Sequence, residues 1–382
     1  MTCYGGGHAQ IIAQLWGRLI ELGHDVEVIA LTMAYPALEA LGYRPSSVQQ
    51  LLNSRHATWA SFAEQNMGTV HPDLTFEDSL AYHAIGLADL AHQYGADDAE
   101  LRFREHGRLA FLPLETWKEY LSQQSFDVLV ATTSPRFERA ALMAAREMGI
   151  PHLAVGDWFL FYEKEWICAP GYAENIAVLN ASVEQFLKDE GYRGKIAVTG
   201  NPVFDRLAVT TSAQKTQKPV FLWAAAMGKL PDGRTFITHE DALSTLESCF
   251  SQYPNWSYVY RLHPNDPWLP DVELQYGEID LGEQAIEEAI ANATVIGTEV
   301  STVGLQAAAV GKPVVSVGFE DYVHYEKFGV SKHYDSLKDA LADLDVIAEQ
   351  DLMPWNSLGC ATQNVVDQIN QLGGGVFECE PN

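Results

Sequence analysis

The sequence is poor in basic residues and has no long apolar segment. Its 24 lysines and arginines are outnumbered by 51 aspartates and glutamates, which gives a formal net charge of −27 at pH 7. A charge of this sign repels nucleic-acid phosphates, so we expect no nucleic-acid partner. No apolar stretch reaches the about 18 residues of a membrane span, and no basic segment leads into an apolar one at the N terminus. We therefore expect a cytoplasmic chain with no transmembrane span, for which peripheral contact with the inner face of a membrane stays open.

Cysteine pairs and metal-ligand clusters are missing as well. An odd number of scattered cysteines without a C-x-x-C pair favours reduced thiols over a disulfide framework or a structural zinc site. The five cysteines are Cys3, Cys168, Cys249, Cys360 and Cys379. No histidine–cysteine cluster has the spacing of metal ligands, and no D-x-D motif lies in a convincing loop. We therefore expect that the protein needs no metal.

What the first half of the chain does have is an alternation of short apolar strands and amphipathic helices. The predicted strands are residues 25–31, 126–132, 151–155, 175–179 and 195–200. The predicted helices 9–23 and 136–149 each end in a glycine suited to a helix C-cap. This alternation predicts βαβ units and a parallel sheet with helices on both faces. A mostly helical stretch at residues 74–125 interrupts it and is predicted to be an insertion.

A second α/β segment follows a polar stretch at residues 208–218, which we interpret as a linker. The predicted strands after it are residues 219–226, 256–262, 293–298 and 313–319. We therefore expect an N-terminal domain at 1–207 and a C-terminal domain at 219–382, as the chain length also favours, with a C-terminal helix around residues 360–372 that could cross back to the first domain. Open α/β sheets bind ligands at the carboxyl ends of their strands, so two such sheets in tandem predict a ligand cleft.

Three glycines and a histidine precede the first predicted helix. Gly5, Gly6 and Gly7 let backbone N–H groups approach a ligand closely, and a helix N terminus favours anions. A phosphate or a sugar is therefore a candidate ligand, and His8 is a candidate general base or hydrogen-bond donor. A tight strand-to-helix turn without a ligand would use the same residues. The spacing differs from G-x-G-x-x-G, which disfavours a nicotinamide cofactor.

Four stretches, in order along nearly the whole chain, resemble nucleotide-sugar enzymes of the GT-B architecture. They are residues 5–31 (GGGHAQIIAQLWGRLIELGHDVEVIAL), 198–207 (VTGNPVFDRL), 260–266 (YRLHPND) and 297–318 (GTEVSTVGLQAAAVGKPVVSVG). The first is similar to the opening of GT-B glycosyltransferases, and the second to the end of the first domain in UDP-N-acetylglucosamine 2-epimerases. The third resembles the histidine-proline motif of sialyl- and Kdo-transferases. The fourth is similar to the donor-binding strand, turn and helix of the second domain in GT-B enzymes. The resemblance implies two Rossmann-like domains facing a cleft, with the nucleotide-sugar as a substrate and no separate cofactor.

The fourth stretch implies a site for the donor phosphates. Its helix is predicted to begin near Ser301, where the hydroxyls of Ser301 and Thr302 and free backbone N–H groups can bind a phosphate. The same hydroxyls would cap the helix without any ligand. Thr298 at the strand end is a further candidate, as is Gln306. Many UDP-sugar transferases have a glutamate in this helix that holds the ribose, so a glutamine leaves UDP, CMP and other donors open.

The third stretch supplies a candidate for assisting the leaving phosphate. His263 follows a predicted strand, and Pro264 fixes the backbone after it. In the sialyltransferase-like enzymes the matching histidine acts as an acid or hydrogen-bond donor, and an imidazolium stabilises the charge that develops on phosphate. Arg261 is expected on the same face of the strand, where it would add charge. A turn histidine satisfied by the backbone is the alternative.

Glycosyl transfer also needs a base for the acceptor hydroxyl. Asp157 follows a first-domain strand, and Trp158 beside it can stack on a sugar. His8, Glu163 and Glu115 are the competing candidates. Asn201 is expected to turn the chain into the linker, with an acceptor-side contact as its second role.

We therefore expect a metal-independent glycosyltransferase that moves a sugar from a nucleotide-sugar to a glycan or lipid-linked acceptor in bacterial surface-polysaccharide synthesis. A nucleotide-sugar epimerase or hydrolase is the first alternative, although the acidic residues and arginines around the hexose in the epimerases have no match. A non-catalytic sugar-nucleotide-binding protein is the second.

Overall fold

The computed structural model describes residues 1–208, 218–230, 232–263, 266–350, 352 and 359–374. Most of the predicted linker, and Pro264, lie outside the described residues. The chain divides into two compact units, which we call unit 1 and unit 2. Unit 1 comprises Met1–Val203 together with the chain from Cys360 onward, and unit 2 comprises Phe204–Gly359.

Unit 1 is built on a seven-stranded parallel sheet. Its strands are β1 (Thr2–Tyr4), β2 (Ile29–Leu31), β3 (Ser46–Ser47), β4 (Leu129–Ala131), β5 (His152–Val155), β6 (Asn175–Val178) and β7 (Lys195–Val198). The strands form in the order β3-β2-β1-β4-β5-β6-β7. Strands β2, β4 and β5 are buried along their whole length, as expected for a parallel sheet covered by helices on both faces.

The helices of unit 1 surround this sheet and form the insertion between β3 and β4. They are Gly6–Glu21, Ala34–Ala40, Ser54–Ala57, Ala60–Asn66, Phe76–Tyr94, Ala96–His106, Leu114–Ser122, Phe137–Glu147, Lys164–Ile167, Ala181–Asp189 and Ala361–Leu372. Short 3₁₀ helices lie at Val48–Leu51, Gly107–Ala110 and Pro202–Phe204, the last at the boundary of the units. The helical insertion begins at Val48, earlier than the predicted position 74.

Unit 2 has a six-stranded parallel sheet. Its strands are β8 (Val220–Ala224), β9 (Ser257–Arg261), β10 (Gly277–Asp280), β11 (Val295–Thr298), β12 (Val314–Val317) and β13 (Lys332–Tyr334). The helices are Asp205–Ala208, His239–Phe250, Ile286–Asn292, Thr302–Ala309, Glu320–Val323, Leu337–Ala342 and Leu344–Ala348. The sheet order is β10-β9-β8-β11-β12-β13.

Both sheets change winding direction at one pair of central strands. In unit 1 the chain winds outward from β1 to β3 and then returns to place β4 on the other side of β1. In unit 2 it winds from β8 to β10 and returns to place β11 beside β8. Such switch points leave a crevice at the carboxyl ends of the strands, where ligands bind in open α/β sheets. The topology therefore predicts ligand sites at the loops after β1 and β4 in unit 1 and after β8 and β11 in unit 2.

The C-terminal helix belongs to unit 1, so unit 2 ends at Gly359 rather than at residue 382 as predicted for the second domain. Arg18 Nε donates a hydrogen bond to Gln363 Oε1 at 2.8 Å, which ties this helix to the first helix. Val365 and Val366 are buried in the same core as the first helix. Their apolar spacing predicts a helix, but only the folded chain decides which sheet that helix covers.

Three edge strands were not predicted from the sequence: β3, β10 and β13. They are short or carry polar residues, because an edge strand has a neighbour on one side only and is less buried. In the described part of the chain no helix is both long and apolar enough to cross a bilayer.

Candidate active site

The glycine loop forms the uncapped start of the first helix. Gly5 is the N-cap with a φ of 83°, a conformation that favours glycine, and the helix begins at Gly6 rather than near His8 as predicted. Gly6 and Gly7 are exposed, and a Cβ atom on either would meet nothing within 4 Å. The N-cap residue of this helix, a glycine, has no side chain that could cap it, and no acidic residue lies in the first turn. Its N–H groups and positive dipole end can therefore act on a ligand.

His8 lies between two carboxylates. Its Nε2 atom is 3.2 Å from Oδ2 of Asp157, and its Nδ1 atom is 3.6 Å from Oε1 of Glu138. The His8 side chain is 16% exposed, so water screens these interactions only weakly. The structure thus brings together two predicted site residues, His8 and Asp157, and adds a third group that the sequence analysis missed.

Glu138 is fully buried in the first turn of helix Phe137–Glu147. Its carboxylate accepts hydrogen bonds from the Thr132 hydroxyl and from the Ser134 backbone N–H, the latter at 2.6 Å. Both donors follow β4, at the switch point of the sheet. A sequence signal existed: Glu138 lies one turn before Ala141 and Leu142, on the apolar face of the helix. A carboxylate on such a face is buried only when something pairs with it.

The two carboxylates keep His8 charged. Burial opposes the imidazolium, but Glu138 and Asp157 outweigh burial and raise the pKa of His8 to about 11. The histidine therefore carries its proton at neutral pH and cannot accept another. This arrangement favours the hydrogen-bond-donor role of His8 over the general-base role, both of which the sequence allowed.

Asp157 follows β5 at the carboxyl edge of the same sheet, with 31% of its side chain exposed. Burial favours its neutral form, but the hydrogen bond from His8 and the charge of His8 outweigh burial and hold the pKa of Asp157 below its ordinary value. Asn201 Nδ2 donates to the Asp157 carbonyl at 2.8 Å, so this predicted acceptor-side residue positions the backbone of Asp157. Trp158 is half-buried, with its ring edge-to-face against Phe159.

The competing carboxylates lie in different places. Glu163 is close enough to Asp157 and His8 to interact with them, and burial, together with the Asp157 charge, raises the pKa of Glu163. Glu115 pairs with Lys118 at 2.9 Å, and Lys118 also pairs with Glu147. Glu147 ends helix Phe137–Glu147, whereas Glu138 lies in the first turn of that helix. The structure therefore does not bring Glu115 to the His8 site.

In unit 2, the loop after β11 forms the start of helix Thr302–Ala309. Ser301 is the N-cap, and its hydroxyl accepts a hydrogen bond from the Val303 N–H at 3.3 Å. Thr298 is buried, accepts from the Ser301 N–H at 2.9 Å and donates to the carbonyl of Ala224 in β8 at 3.2 Å. Thr298 thus joins the two strands of the switch point. Thr302 is exposed, and Gln306 lies half-buried one turn later on the same helix.

Arg261 is buried and held by groups from β10 and the loop after it. It forms an ion pair with Asp280, and its Nη2 donates to the Gln284 carbonyl at 2.8 Å. His263 is exposed, whereas Arg261 is buried and its ion-pair partner lies in the unpredicted strand β10. The donor contact of Arg261 stays a prediction, beside this observed structural role.

Glu299 is a second carboxylate that the sequence analysis did not select. It lies between β11 and Ser301, is 2% exposed and accepts a hydrogen bond from the Ile237 N–H at 3.0 Å. Burial raises the pKa of Glu299 to about 7, opposed in part by that hydrogen bond. A proton on this group near neutral pH removes a negative charge close to the start of the helix. Within the described ranges no group of three or more His, Cys, Asp or Glu side chains could hold a metal ion.

No protein-family model matches this sequence, and no curated protein sequence matches it. Solved structures do share its fold. The UDP-GlcNAc 2-epimerase of Neisseria meningitidis, bound to UDP-GlcNAc, has a TM-score of 0.57 and 14% identity over 97% of this chain and 99% of its own. The calicheamicin glycosyltransferase CalG4 has a TM-score of 0.55 and 14% identity over 98% of each chain. The glycosyltransferase of kitacinnamycin has a TM-score of 0.52 and 13% identity over 98% of this chain and 94% of its own.

These likenesses cover both halves of the chain and include epimerases as well as transferases. They confirm the α/β class and the GT-B architecture predicted from the sequence, at a level of identity that speaks for the fold alone. The chain has the two-domain α/β fold of the GT-B nucleotide-sugar enzymes.

Proposed function

We propose that this protein is a metal-independent glycosyltransferase that moves a sugar from a nucleotide-sugar to a glycan or lipid-linked acceptor, in the synthesis of a bacterial surface polysaccharide. The observation that carries the proposal is the Asp157–His8–Glu138 arrangement at the switch point of unit 1. It provides an ionised, partly exposed carboxylate beside a histidine that is itself held in its charged form.

Asp157 acts as the general base. The acceptor oxygen attacks the anomeric carbon, the bond from that carbon to the donor phosphate breaks, and its electron pair leaves with the nucleotide. The acceptor hydroxyl becomes acidic as its oxygen bonds to carbon, and its proton passes to an Asp157 oxygen. His8 keeps Asp157 ionised before this step, and Glu138 holds the His8 ring in place.

Unit 2 binds the donor. The departing nucleotide gains negative charge on its phosphate, which N–H groups and hydroxyls at a helix start can stabilise without a cation. Ser301 and Thr302 begin the helix that follows β11, where the unit 2 sheet reverses. His263 is the proposed acid or hydrogen-bond donor to the same phosphate.

A ligand screen followed by product analysis tests the proposal. The chain is first screened by thermal shift against UDP, CMP, CDP, GDP and dTDP, because a ligand of the native state raises the midpoint. Sugar donors of the stabilising nucleotide are then incubated with glycan and lipid-linked acceptors, and products are identified by mass spectrometry. We expect acceptor-dependent release of nucleotide and a product one sugar larger; turnover independent of every acceptor would count against transfer.

An epimerase or hydrolase is the second candidate. Three carboxyl groups, Glu138, Asp157 and Glu163, lie around His8, which supplies more acid–base groups than a single deprotonation needs. The likeness to UDP-GlcNAc 2-epimerases adds to this. Formation of an epimeric sugar nucleotide, or of free sugar and nucleotide, in the absence of acceptor would establish this activity in place of transfer.

A further inference from the structure

Arg136 lies at the switch point of unit 1, next to the proposed base site. It directly precedes the helix that carries Glu138. Its guanidinium stacks on Tyr4, with Cζ 4.8 Å from the ring centroid. Tyr4 ends β1 and is followed at once by the glycine loop. The Arg136 side chain is therefore held across the ends of β1 and β4.

This guanidinium has no carboxylate partner among the described residues. Other arginines of the chain pair with acids: Arg55 with Asp89, and Arg234 with Asp321. No described acid lies within ion-pair distance of Arg136, and its buried Nε has no hydrogen-bond partner in that part of the chain. Half-buried Arg139 also lacks a carboxylate partner among the described residues, but Arg136 is the one that stacks on Tyr4 beside the glycine loop. A desolvated N–H of a charged group normally has an acceptor, which makes the Nε of Arg136 a candidate ligand contact; the buried Nε atoms of Arg55 and Arg139 also lack an acceptor in the described chain.

Two further buried polar groups lie beside Arg136. Tyr82 is 1% exposed and stacks on Phe137 at 4.3 Å between ring centroids, and apart from Arg136 its hydroxyl has no hydrogen-bond partner in the described chain. Burial raises the pKa of the Tyr82 phenol, and the charge of Arg136 and a hydrogen bond with Arg136 oppose that rise, so the two groups are in contact. Ser134 is 6% exposed, and its Oγ has no hydrogen-bond partner within the described ranges.

We propose that Arg136, with the Tyr82 hydroxyl and the uncapped start of helix Gly6–Glu21, binds a carboxylate or phosphate group carried by the acceptor. A planar guanidinium with a free Nε suits such oxyanions because it donates two parallel hydrogen bonds. The positive end of the helix dipole adds to the attraction. The inference rests on the proposed function, since it names the acceptor class of that same site: the acceptor is anionic close to its reacting hydroxyl.

The test measures anion binding directly, without turnover. The full chain, labelled with ¹⁵N-arginine, is titrated at constant ionic strength with glucose 6-phosphate, glucuronate and methyl glucoside, while the Nε–H signal of Arg136 is followed by NMR. The signal is assigned by its loss in Arg136→Gln. We expect saturable movement with one or both anionic sugars and none with methyl glucoside; the two anionic arms distinguish a phosphate from a carboxylate preference.

Variants locate the binding. Arg136→Gln should weaken affinity for the anionic sugar by at least about tenfold, as removal of a charge-assisted hydrogen bond does. Arg136→Lys, which keeps the charge without the fork, should recover part of it. Arg102→Gln is the matched control, because exposed Arg102 also stacks on a tyrosine, 3.8 Å from the ring centroid of Tyr94. It should bind as the wild type does.

The outcomes separate this inference from the proposed function. Equal binding of the neutral sugar, no movement of the Arg136 signal, or full affinity in Arg136→Gln overturns the anion site. Loss of anion binding in Ser301→Ala with Thr302→Ala, rather than in Arg136→Gln, also overturns it. Binding at Arg136 without sugar transfer to any anionic acceptor leaves the anion site standing and counts against the transferase. Sugar transfer to neutral acceptors, at the same rate in Arg136→Gln as in the wild type, supports the transferase and counts against an anionic acceptor.

Discussion

The two units have sheets that reverse in the same way, yet their switch points carry opposite kinds of chemistry. In unit 1 the loops after β1, β4 and β5 bring charged groups together, with His8 between Glu138 and Asp157. In unit 2 the loop after β11 offers neutral hydroxyls, and its one buried carboxylate, Glu299, has a pKa raised to about 7. The topology thus determines where a site forms, whereas the side chains determine what it does.

This difference between the units fits the two tasks that we propose for them, proton acceptance in unit 1 and phosphate binding in unit 2. A proton acceptor must be ionised before the reaction, which the charge of His8 ensures for Asp157. Nearby negative charge weakens a phosphate site. Because the pKa of Glu299 is raised to about 7, its carboxyl group carries little negative charge below that pH. The following variants test whether the division between units is real.

The largest effect should come from Asp157→Asn. The change keeps the size of the side chain and removes the proton acceptor, so turnover should fall by about 10²–10⁴-fold, the range for general acid–base catalysis. Nucleotide affinity should change little, because we propose that unit 2 binds the nucleotide. Steady-state kinetics and calorimetry measure the two quantities, and full turnover in this variant would move the base to another group.

Glu138→Gln should come next. Loss of the buried charge beside His8 removes part of what raises the pKa of His8, and we expect the protein to lose about 1.5–3 kcal/mol of stability near pH 6. A raised histidine pKa contributes stability that is fully present below its ordinary value of 6.5 and is lost as the pH rises toward about 11. The difference between variant and wild type should therefore shrink at high pH.

Chemical denaturation at about pH 6 and about pH 10 checks this sign. Glu64→Gln serves as the control and should change little, because the Glu64 side chain is exposed and has no ion pair or hydrogen bond in the described chain. A loss of stability for Glu138→Gln that is the same at both pH values would show that His8 is not the group that titrates.

Ser301→Ala combined with Thr302→Ala should weaken nucleotide binding by about 1–3 kcal/mol, the usual effect of removing hydrogen bonds to a charged group. Turnover at saturating donor should fall less than in Asp157→Asn. Calorimetry gives the affinity. The control is Thr245→Ala in helix His239–Phe250, whose hydroxyl is exposed and donates to the Asp241 carbonyl at 2.8 Å. Unchanged affinity in the double variant would place the donor elsewhere.

The smallest effect should come from Glu299→Gln. As the pH rises through about 7, the wild-type carboxyl group ionises and should weaken phosphate binding by about fivefold, the scale of charge repulsion in partly screened surroundings. The amide can still accept the N–H of Ile237 but has no charge to gain. Nucleotide affinity measured across this pH range should therefore be flatter in the variant; an identical pH profile would exclude Glu299 as the cause.

Much of the fold was accessible from the sequence because its signals are local. Strands such as β5, β8 and β11 lie within the predicted segments, since a buried parallel strand is a short apolar run between turn residues. The polar edge strands β3 and β10 have no such signal. The partner of Arg261 was missed for the same reason, because Asp280 lies in β10.

The candidate site was only partly predictable. His8, Asp157, Ser301 and Thr302 follow strands or begin helices, so their positions in the chain mark them as candidates. Glu138 and Arg136 lie in and before a helix and were not selected. Their importance depends on contacts with His8 and Tyr4, residues more than a hundred positions away in the chain.

The sequence by itself determined the α/β alternation, the acidic surface and the glycine-led start of the first helix, since each follows from neighbouring residues or from overall composition. Only the tertiary structure decided that His8 stays charged, that Arg261 is paired within unit 2 and that Arg136 has no carboxylate partner in the described chain. The reason is physical: burial and the distance to another charge set the state of an ionisable group, and both arise only when distant segments pack together.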